Sequence, residues 1–349
     1  MQDPLADLPA AFRARPVSLP GDLPALIHLQ NADRAGNGSP FRVSEGDLVE
    51  ELTAPGVEVE RDTRVVEDPS GALVASLFLD PALGRDGDKV LLDIAFDPAQ
   101  TDGPVADPLV AWGIAAARAR IAAEAVGPAG IEVAGRPVDP VTPAARATHA
   151  LLARHGFRAV RWFATLRLTF ADRPAAPDPD AVPLPAGYHV VPVPIADPRV
   201  AQLHSEAFRD HWGHFAWTPE EWAHSVSGES SRPGWSEVVA DADGRLVAYL
   251  LSAEYAQDHA TLGRVAWVDA LGTLRPDRGK GLASALLERA LARYAAAGMD
   301  GAMLGVDGES PTGADRLYAR LGFRPHQRTI RFRIDVPGPA GAAGTTTEG

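Results

Sequence analysis

Two stretches of this chain recur, and the recurrence constrains its organisation more than any single motif. His149–Arg158 parallels Asp315–Arg324, and Val66–Ala75 parallels Val239–Ala248. The first pair reads as the last turns of a helix closed by glycine and followed by Phe. The second reads as a hairpin, a strand, an Asp/Gly turn and an apolar strand. A chain of 349 residues has room for two domains of common size, and the same pieces occur twice in the same order. The expected layout is one domain over residues 1–171, a proline-rich and acidic linker over 172–187, a second domain over 188–336, and a disordered Gly/Ala/Thr-rich tail over 337–349.

The two copies differ at a glycine cluster found in the second. Arg278-Gly279-Lys280-Gly281-Leu282-Ala283 follows an apolar run, Val265 to Thr273, that reads as a strand. It precedes Ala283, Leu286, Leu287, Ala290, Leu291 and Tyr294, one apolar helical stripe, with Gly298 where a helix-closing glycine belongs. The first N–H groups of a helix lack intrahelical partners, and the macrodipole adds about half a positive charge there. Small residues let that backbone approach a pyrophosphate closely, and Arg278 and Lys280 add full charges beside it. A Walker loop is excluded because Leu274 stands where its first glycine belongs and Gly281 where Ser or Thr belongs. A dinucleotide loop is excluded because Ser284 replaces the third glycine. A glycine-rich surface turn is the alternative at this point.

The residues after Gly298 narrow the choice. Ala302 to Val306 reads as a strand. After the turn residues Asp307 to Pro311, Ala314, Leu317, Tyr318 and Leu321 form a helical stripe ended by Gly322, and Thr329 to Val336 alternates as a last strand. The Arg-x-x-Gly-x-Ala pattern of Arg278–Ala283, together with Leu317, Tyr318, Leu321, Gly322 and Phe323, resembles the GCN5-related N-acetyltransferase (GNAT) superfamily. The tandem layout resembles its two-domain members, mycothiol synthase among them. The resemblance implies an α/β (α+β) fold of two tandem domains, each a mixed, mostly antiparallel sheet flanked by helices. It also implies acetyl-CoA as co-substrate.

The same resemblance places pantetheine and thioester against the backbone of Leu271, Gly272 and Thr273, and the pyrophosphate on the amides of Arg278 through Ala283. It makes Tyr318 the general acid toward the coenzyme sulfur, although a tyrosine on an apolar stripe also reads as core packing. For the general base, Asp269 is preferred over Glu254. Asp269 shares an alternating strand face with Trp267 and Leu271, a partly buried setting that raises a carboxyl pKa. Many members carry asparagine where this chain has Ser310, whose hydroxyl has a shorter reach. In the superfamily the first two helices and their loop shape the acceptor site. Here that segment holds His211, Trp212, His214 and Trp217, which also read as aromatic packing beneath a loop. Thr218 to Glu221 reads as a capping box.

In the first copy the loop position is Asp97 to Pro104, acidic and proline-bearing, and the residue matching Tyr318 is Leu152. Carboxylates repel a pyrophosphate and prolines remove amide donors, so the first domain reads as a degenerate partner. The formal charge of −13 argues against a nucleic-acid surface and mildly favours an amine acceptor. The absence of cysteine excludes disulfides, a cysteinyl acyl-enzyme and cysteine-ligated zinc. His211 and His214 lack the further ligands a metal needs, and no metal is expected. No run reaches membrane-spanning length and Met1 to Pro20 lacks a signal-peptide core, so a cytoplasmic monomer or homodimer is expected. The function expected from these features is acyl-CoA-dependent N-acyl transfer to a small primary amine. The competing expectation is a non-catalytic acyl-CoA-binding or regulatory module.

Overall fold

A computed structural model describes residues 3–83, 88–172, 178–212, 216–309 and 314–338. The predicted sites His214 and Ser310 lie outside these residues, as does the tail from 339 onward.

The chain divides into two compact units that are not the two halves expected from the repeat. Unit 1 takes residues up to Arg161 and then the chain from Thr329 on, whereas unit 2 takes Trp162–Arg328. The boundary expected at 171/172 is corrected to 161/162, and the final alternating segment, expected in the second domain, belongs to the first. Alternation shows that a segment is a strand without showing which sheet edge receives it.

Unit 1 contains strands β1 (Arg13–Arg15), β2 (Thr63–Glu67), β3 (Leu73–Ala82), β4 (Lys89–Phe96) and β5 (Ala129–Pro137). Its helices are α1 (Leu23–Gly36), α2 (Glu45–Leu52), α3 (Val59–Asp62), α4 (Ala106–Glu124) and α5 (Pro143–Arg154). Strand β6 (Arg158–Thr169) begins here and runs on into unit 2.

Unit 2 continues with β7 (Tyr188–Val191), α6 (Pro198–Ala207), α7 (Pro219–Ser225), β8 (Glu237–Asp241), β9 (Leu246–Glu254), α8 (His259–Leu262), β10 (Val265–Thr273), α9 (Leu282–Ala296), β11 (Gly301–Asp307) and α10 (Ala314–Leu321). The last strand, β12 (Arg324–Val336), starts in unit 2 and passes to unit 1 at Thr329.

Within unit 1 the strand order is β1-β2-β3-β4-β5-β12, and within unit 2 it is β6-β11-β10-β9-β8-β7. Each unit holds one parallel pair, β4 with β5 and β10 with β11. The neighbours from β1 to β4, β5 with β12, and the other unit 2 neighbours pair antiparallel. Each unit has its own core. In unit 2 the stripe of α9 (Leu282, Leu286, Leu287, Ala290, Leu291, Tyr294) packs on Ala248, Leu250, Ala266 and Val268 of the sheet. In unit 1 Leu109, Val110 and Ile121 of α4 pack on Leu77, Leu79, Leu92 and Ile94.

The helix ends obey local chemistry. Thr218 and Glu221 form the expected capping box at α7. Helix α10 is closed by Gly322 at φ +100°, and the Phe323 N–H reaches back to the Tyr318 carbonyl at 3.0 Å. No helix of the described residues is long and apolar enough to cross a membrane.

The segment expected to be a linker is partly docked. The Pro179 and Val182 carbonyls each accept from Arg289 Nη1 of α9 at 2.9 Å.

Candidate active site

Strands β10 and β11 pair in parallel at four positions, Val265 with Gly301 through Val268 with Leu304, and then part. β10 runs on to Thr273 and β11 to Asp307 without pairing to each other. The cause lies at Asp269. Val268 pairs with Ser252 of β9 and Ala270 with Leu251, so Asp269 is the extra residue of a β-bulge. A bulge bends its strand and raises the local twist, and here it carries β10 away from β11. The result is a wedge with Ala270 to Thr273 on one side and Gly305 to Asp307 on the other. A Cβ built on Gly305 meets nothing within 4 Å.

The bulge also corrects the expected alternation, because Asp269 does not share a regular face with Trp267 and Leu271. Its side chain reaches solvent, more than the sequence suggests. Protein atoms nevertheless crowd it enough that desolvation raises its carboxyl pKa, opposed by the Tyr255 hydroxyl at 3.4 Å. Glu254 is differently placed. Its carboxylate is held by Arg232 Nε at 3.0 Å and lies 3.4 Å from His259 Nε2.

On the wedge wall, Leu271 packs against the core and Gly272 is buried. Gly272 lies opposite Tyr249 of β9, and a Cβ there would come 2.4 Å from Tyr249 Cε1. Tyr249 is fully buried and its hydroxyl is 2.6 Å from His204 Nδ1 on α6. Burial keeps the phenol pKa well above its usual value, so it stays protonated. A glycine inside a strand is a signal of close approach, so Gly272 pointed to such a neighbour without naming it.

Beyond Thr273 a single 3₁₀ turn (Arg275–Asp277) leads to the loop. Gly279 and Gly281 take φ of +75° and +90°, a backbone that favours glycine. Helix α9 then starts with no side-chain cap. Its first bond to a preceding carbonyl runs from Ala285 to Gly281, and among the described residues the amides of Gly279 through Ser284 have no protein acceptor. Five of them, Gly279, Lys280, Gly281, Leu282 and Ala283, are among the donors expected for a pyrophosphate. The Arg278 amide is already bonded to the Arg275 carbonyl at 3.2 Å.

The two cations of the loop are both engaged by groups of the protein. Arg278 donates through Nε to the Thr273 carbonyl (3.1 Å) and through Nη2 to the Ala207 carbonyl (2.7 Å), tying loop, β10 and α6 together. Lys280 donates to Asp277 (2.9 Å) and to the Tyr188 hydroxyl (2.8 Å). Asp277, buried, also accepts from Tyr188 (2.8 Å) and Arg245 (3.0 Å). Desolvation pushes its carboxyl up, but Lys280 and Tyr188 outweigh it and the net shift is downward. The i, i+3 spacing of Asp277 and Lys280 was visible in the sequence, whereas the convergence of Tyr188 and Arg245 was not. The loop therefore presents main-chain N–H groups at a helix N-terminus, with the side chains holding its shape.

Tyr318 of α10 is half-buried against the core, its ring 6.1 Å from Phe323 at 72°. Of the predicted acceptor residues, Trp217 packs edge-on to His204 and Trp222. Trp212 lies 6.2 Å from Phe163, and His211 sits 3.0 Å from the Trp212 carbonyl and 5.5 Å from the Phe208 ring. All three lie between α6 and α7, and Trp217 packs into an aromatic cluster with His204 of α6 and Trp222 of α7.

Residues 198–323 match the acetyltransferase (GNAT) family model. Over those residues unit 2 is similar to the GNAT acetyltransferase domain. A mycothiol acetyltransferase from Parafrankia sp. (strain EAN1pec) is 29% identical over 215 residues, and the match covers 56% of this chain and 65% of that relative, less than two thirds of its length. Among solved structures, a GCN5-related N-acetyltransferase from Sphaerobacter thermophilus is 26% identical, with a TM-score of 0.70 over 95% of this chain and 98% of its own. A tandem GNAT protein from the clavulanic acid biosynthesis pathway shares the fold at 19% identity, with a TM-score of 0.64 over 93% and 98% of the two chains. The repeat seen in the sequence is thus a tandem GNAT fold.

Proposed function

We propose that unit 2 transfers an acetyl group from acetyl-CoA to the primary amine of a small molecule, by direct attack with both substrates bound. The observation that carries this reading is the wedge left where β10 parts from β11, continuous along the chain with a loop whose amides lack protein acceptors. Acetyl-CoA supplies an acyl thioester and a pyrophosphate. The amides of Gly279 through Ala283 hold the pyrophosphate. The edge of β10 at Leu271, Gly272 and Thr273 holds the pantetheine arm, and an oriented N–H there stabilises charge on the thioester oxygen.

An alkyl ammonium has a pKa of about 10 and must lose its proton before attack. Asp269 is the better base. Its raised pKa makes it a stronger proton acceptor than an ordinary carboxylate, whereas Glu254 is spent on Arg232. Tyr318 donates the proton that the leaving thiolate requires. His211 and Trp212 flank the amine, and the acidic chain favours cationic acceptors.

A CoA-release assay over amino sugars, amino acids, polyamines and peptide N-termini tests this. Acetyl-CoA-dependent turnover on at least one amine, lost in Asp269→Asn, is expected. Acetyl-CoA binding with no turnover on any amine would instead make unit 2 a binding module.

A further inference from the structure

Unit 1 repeats the parting of strands. Its β4 and β5 pair in parallel from Lys89 with Gly130 to Leu91 with Glu132, and pairing then stops although both strands continue. Ala75 and Ala248, equivalent in the repeat, pair with Phe96 and Thr273, so Phe96 stands where Thr273 stands in unit 2 and Ile94 where Leu271 stands; the bulge residue Asp269 has no counterpart in β4.

Residues two apart on a strand direct their peptide groups to the same edge. In unit 2 the matching groups are the Leu271 carbonyl and the Thr273 N–H, and no side chain among the described residues bonds either, although Arg278 Nε reaches the Thr273 carbonyl. In unit 1 the matching edge is occupied. The guanidinium of Arg136 donates through Nη2 to the Ile94 carbonyl and through Nη1 to Asp33 Oδ2 at 2.9 Å. The other oxygen of Asp33 accepts the Phe96 N–H at 3.2 Å.

The residues that make this closure are well buried, Arg136 at 7% exposure and Asp33 at 4%. Arg136 comes from the far end of β5, past an extra residue near Gly135 (φ +74°) that shifts the register against β12. Asp33 comes from α1, where Asn37 Nδ2 donates to its carbonyl at 2.9 Å. Both charges are paired, and one carboxylate oxygen and one guanidinium nitrogen each satisfy a backbone group that the parted strand leaves over. A buried ion pair of this kind is costly to open, because either partner alone would be an uncompensated buried charge.

We infer that the Arg136–Asp33 pair is an internal occupant of the unit 1 cleft, making the hydrogen bonds to β4 that an acyl-CoA arm would otherwise make. The chain consequently takes one acyl-CoA, in unit 2. The one-ligand count rests on the function proposed for unit 2; the closure of unit 1 stands on its own geometry.

Hydrogen exchange on the full chain, with and without acetyl-CoA, separates the two claims. Acetyl-CoA is expected to slow exchange across 270–284 and to leave 92–97 and 129–137 unchanged, with native mass spectrometry showing one equivalent bound. Slowing at 92–97, or a second equivalent that survives Arg278→Glu, overturns the closure. Silence at 270–284 removes the proposed function, and the closure is then decided without ligand. Arg136→Ala is expected to speed exchange of the Phe96 amide by tenfold or more, that is about 1.4 kcal/mol or more, while the α9 amides keep their protection. Unchanged Phe96 exchange in a chain whose α9 remains protected overturns the closure.

Discussion

The ring of Tyr249 fills the space beside Gly272 where any other residue would carry its first side-chain carbon, 2.4 Å from Tyr249 Cε1. A strand proposed to touch the coenzyme is thus set in place from behind by a buried tyrosine, itself held 2.6 Å from His204. Gly272→Ala should force apart β9 and β10 and cost roughly 1–3 kcal/mol, with a raised KM for acetyl-CoA. Tyr249→Leu in the same chain should recover part of that loss. Urea unfolding and acetyl-CoA titration of the two single variants and the double variant measure the coupling, and strictly additive effects would contradict the contact.

Asp269 carries two opposite expectations. As a base it works ionised, so its raised pKa moves the rising limb of kcat/KM above the ordinary carboxylate range of about 4. Asp269→Asn should remove that limb and lower kcat by roughly 10²- to 10⁴-fold.

The stability effect of the same change runs the other way. A folded carboxyl with a raised pKa contributes stability that is fully present below its unfolded value of about 3.9 and is lost as pH rises through the folded value. At pH 7 Asp269→Asn should therefore raise Tm while abolishing turnover. A variant that loses both activity and Tm would point to a structural carboxylate.

The loop separates shape from charge. Lys280→Met should change the KM for acetyl-CoA by no more than about threefold, since its ammonium is engaged by Asp277 and Tyr188. Asp277→Asn weakens three donors at once and loosens the loop, so KM should rise about 5- to 30-fold at nearly constant kcat, equivalent to about 1–2 kcal/mol. Steady-state kinetics at saturating amine distinguish them, and a larger KM effect from Lys280 than from Asp277 would return Lys280 to the phosphates.

Tyr318→Phe keeps the ring packed at 6.1 Å from Phe323 and removes the hydroxyl alone. Turnover should fall by roughly tenfold or more, with acetyl-CoA affinity nearly unchanged by calorimetry. Full turnover would leave Tyr318 as a packing residue.

Helix α9 is anchored by a buried pair, Arg289 Nη2 to Glu237 Oε1 at 2.7 Å, with Arg293 on the same carboxylate. Glu237→Ala leaves the buried Arg289 guanidinium only the exposed Asp180 carboxylate for charge pairing and should cost about 3 kcal/mol in denaturant unfolding. Cofactor binding should weaken with it, because the same helix begins at the phosphate loop.

What could be read from residue order alone was the local part. The tandem repeat, the glycine loop between Val265–Thr273 and the α9 stripe, the Thr218–Glu221 cap and the Gly322 closure each depend on residues within a few positions of one another, where periodicity and backbone preference act directly. The destination of Thr329–Val336, the bulge at Asp269, the tyrosine beside Gly272, the anchoring of Arg278 and Lys280, and the Arg136–Asp33 pair were decided only in three dimensions. Each joins segments tens to more than a hundred residues apart. Strand alternation carries no record of which edge a strand will join, and a charged side chain carries none of whether water, a ligand or its own backbone will neutralise it.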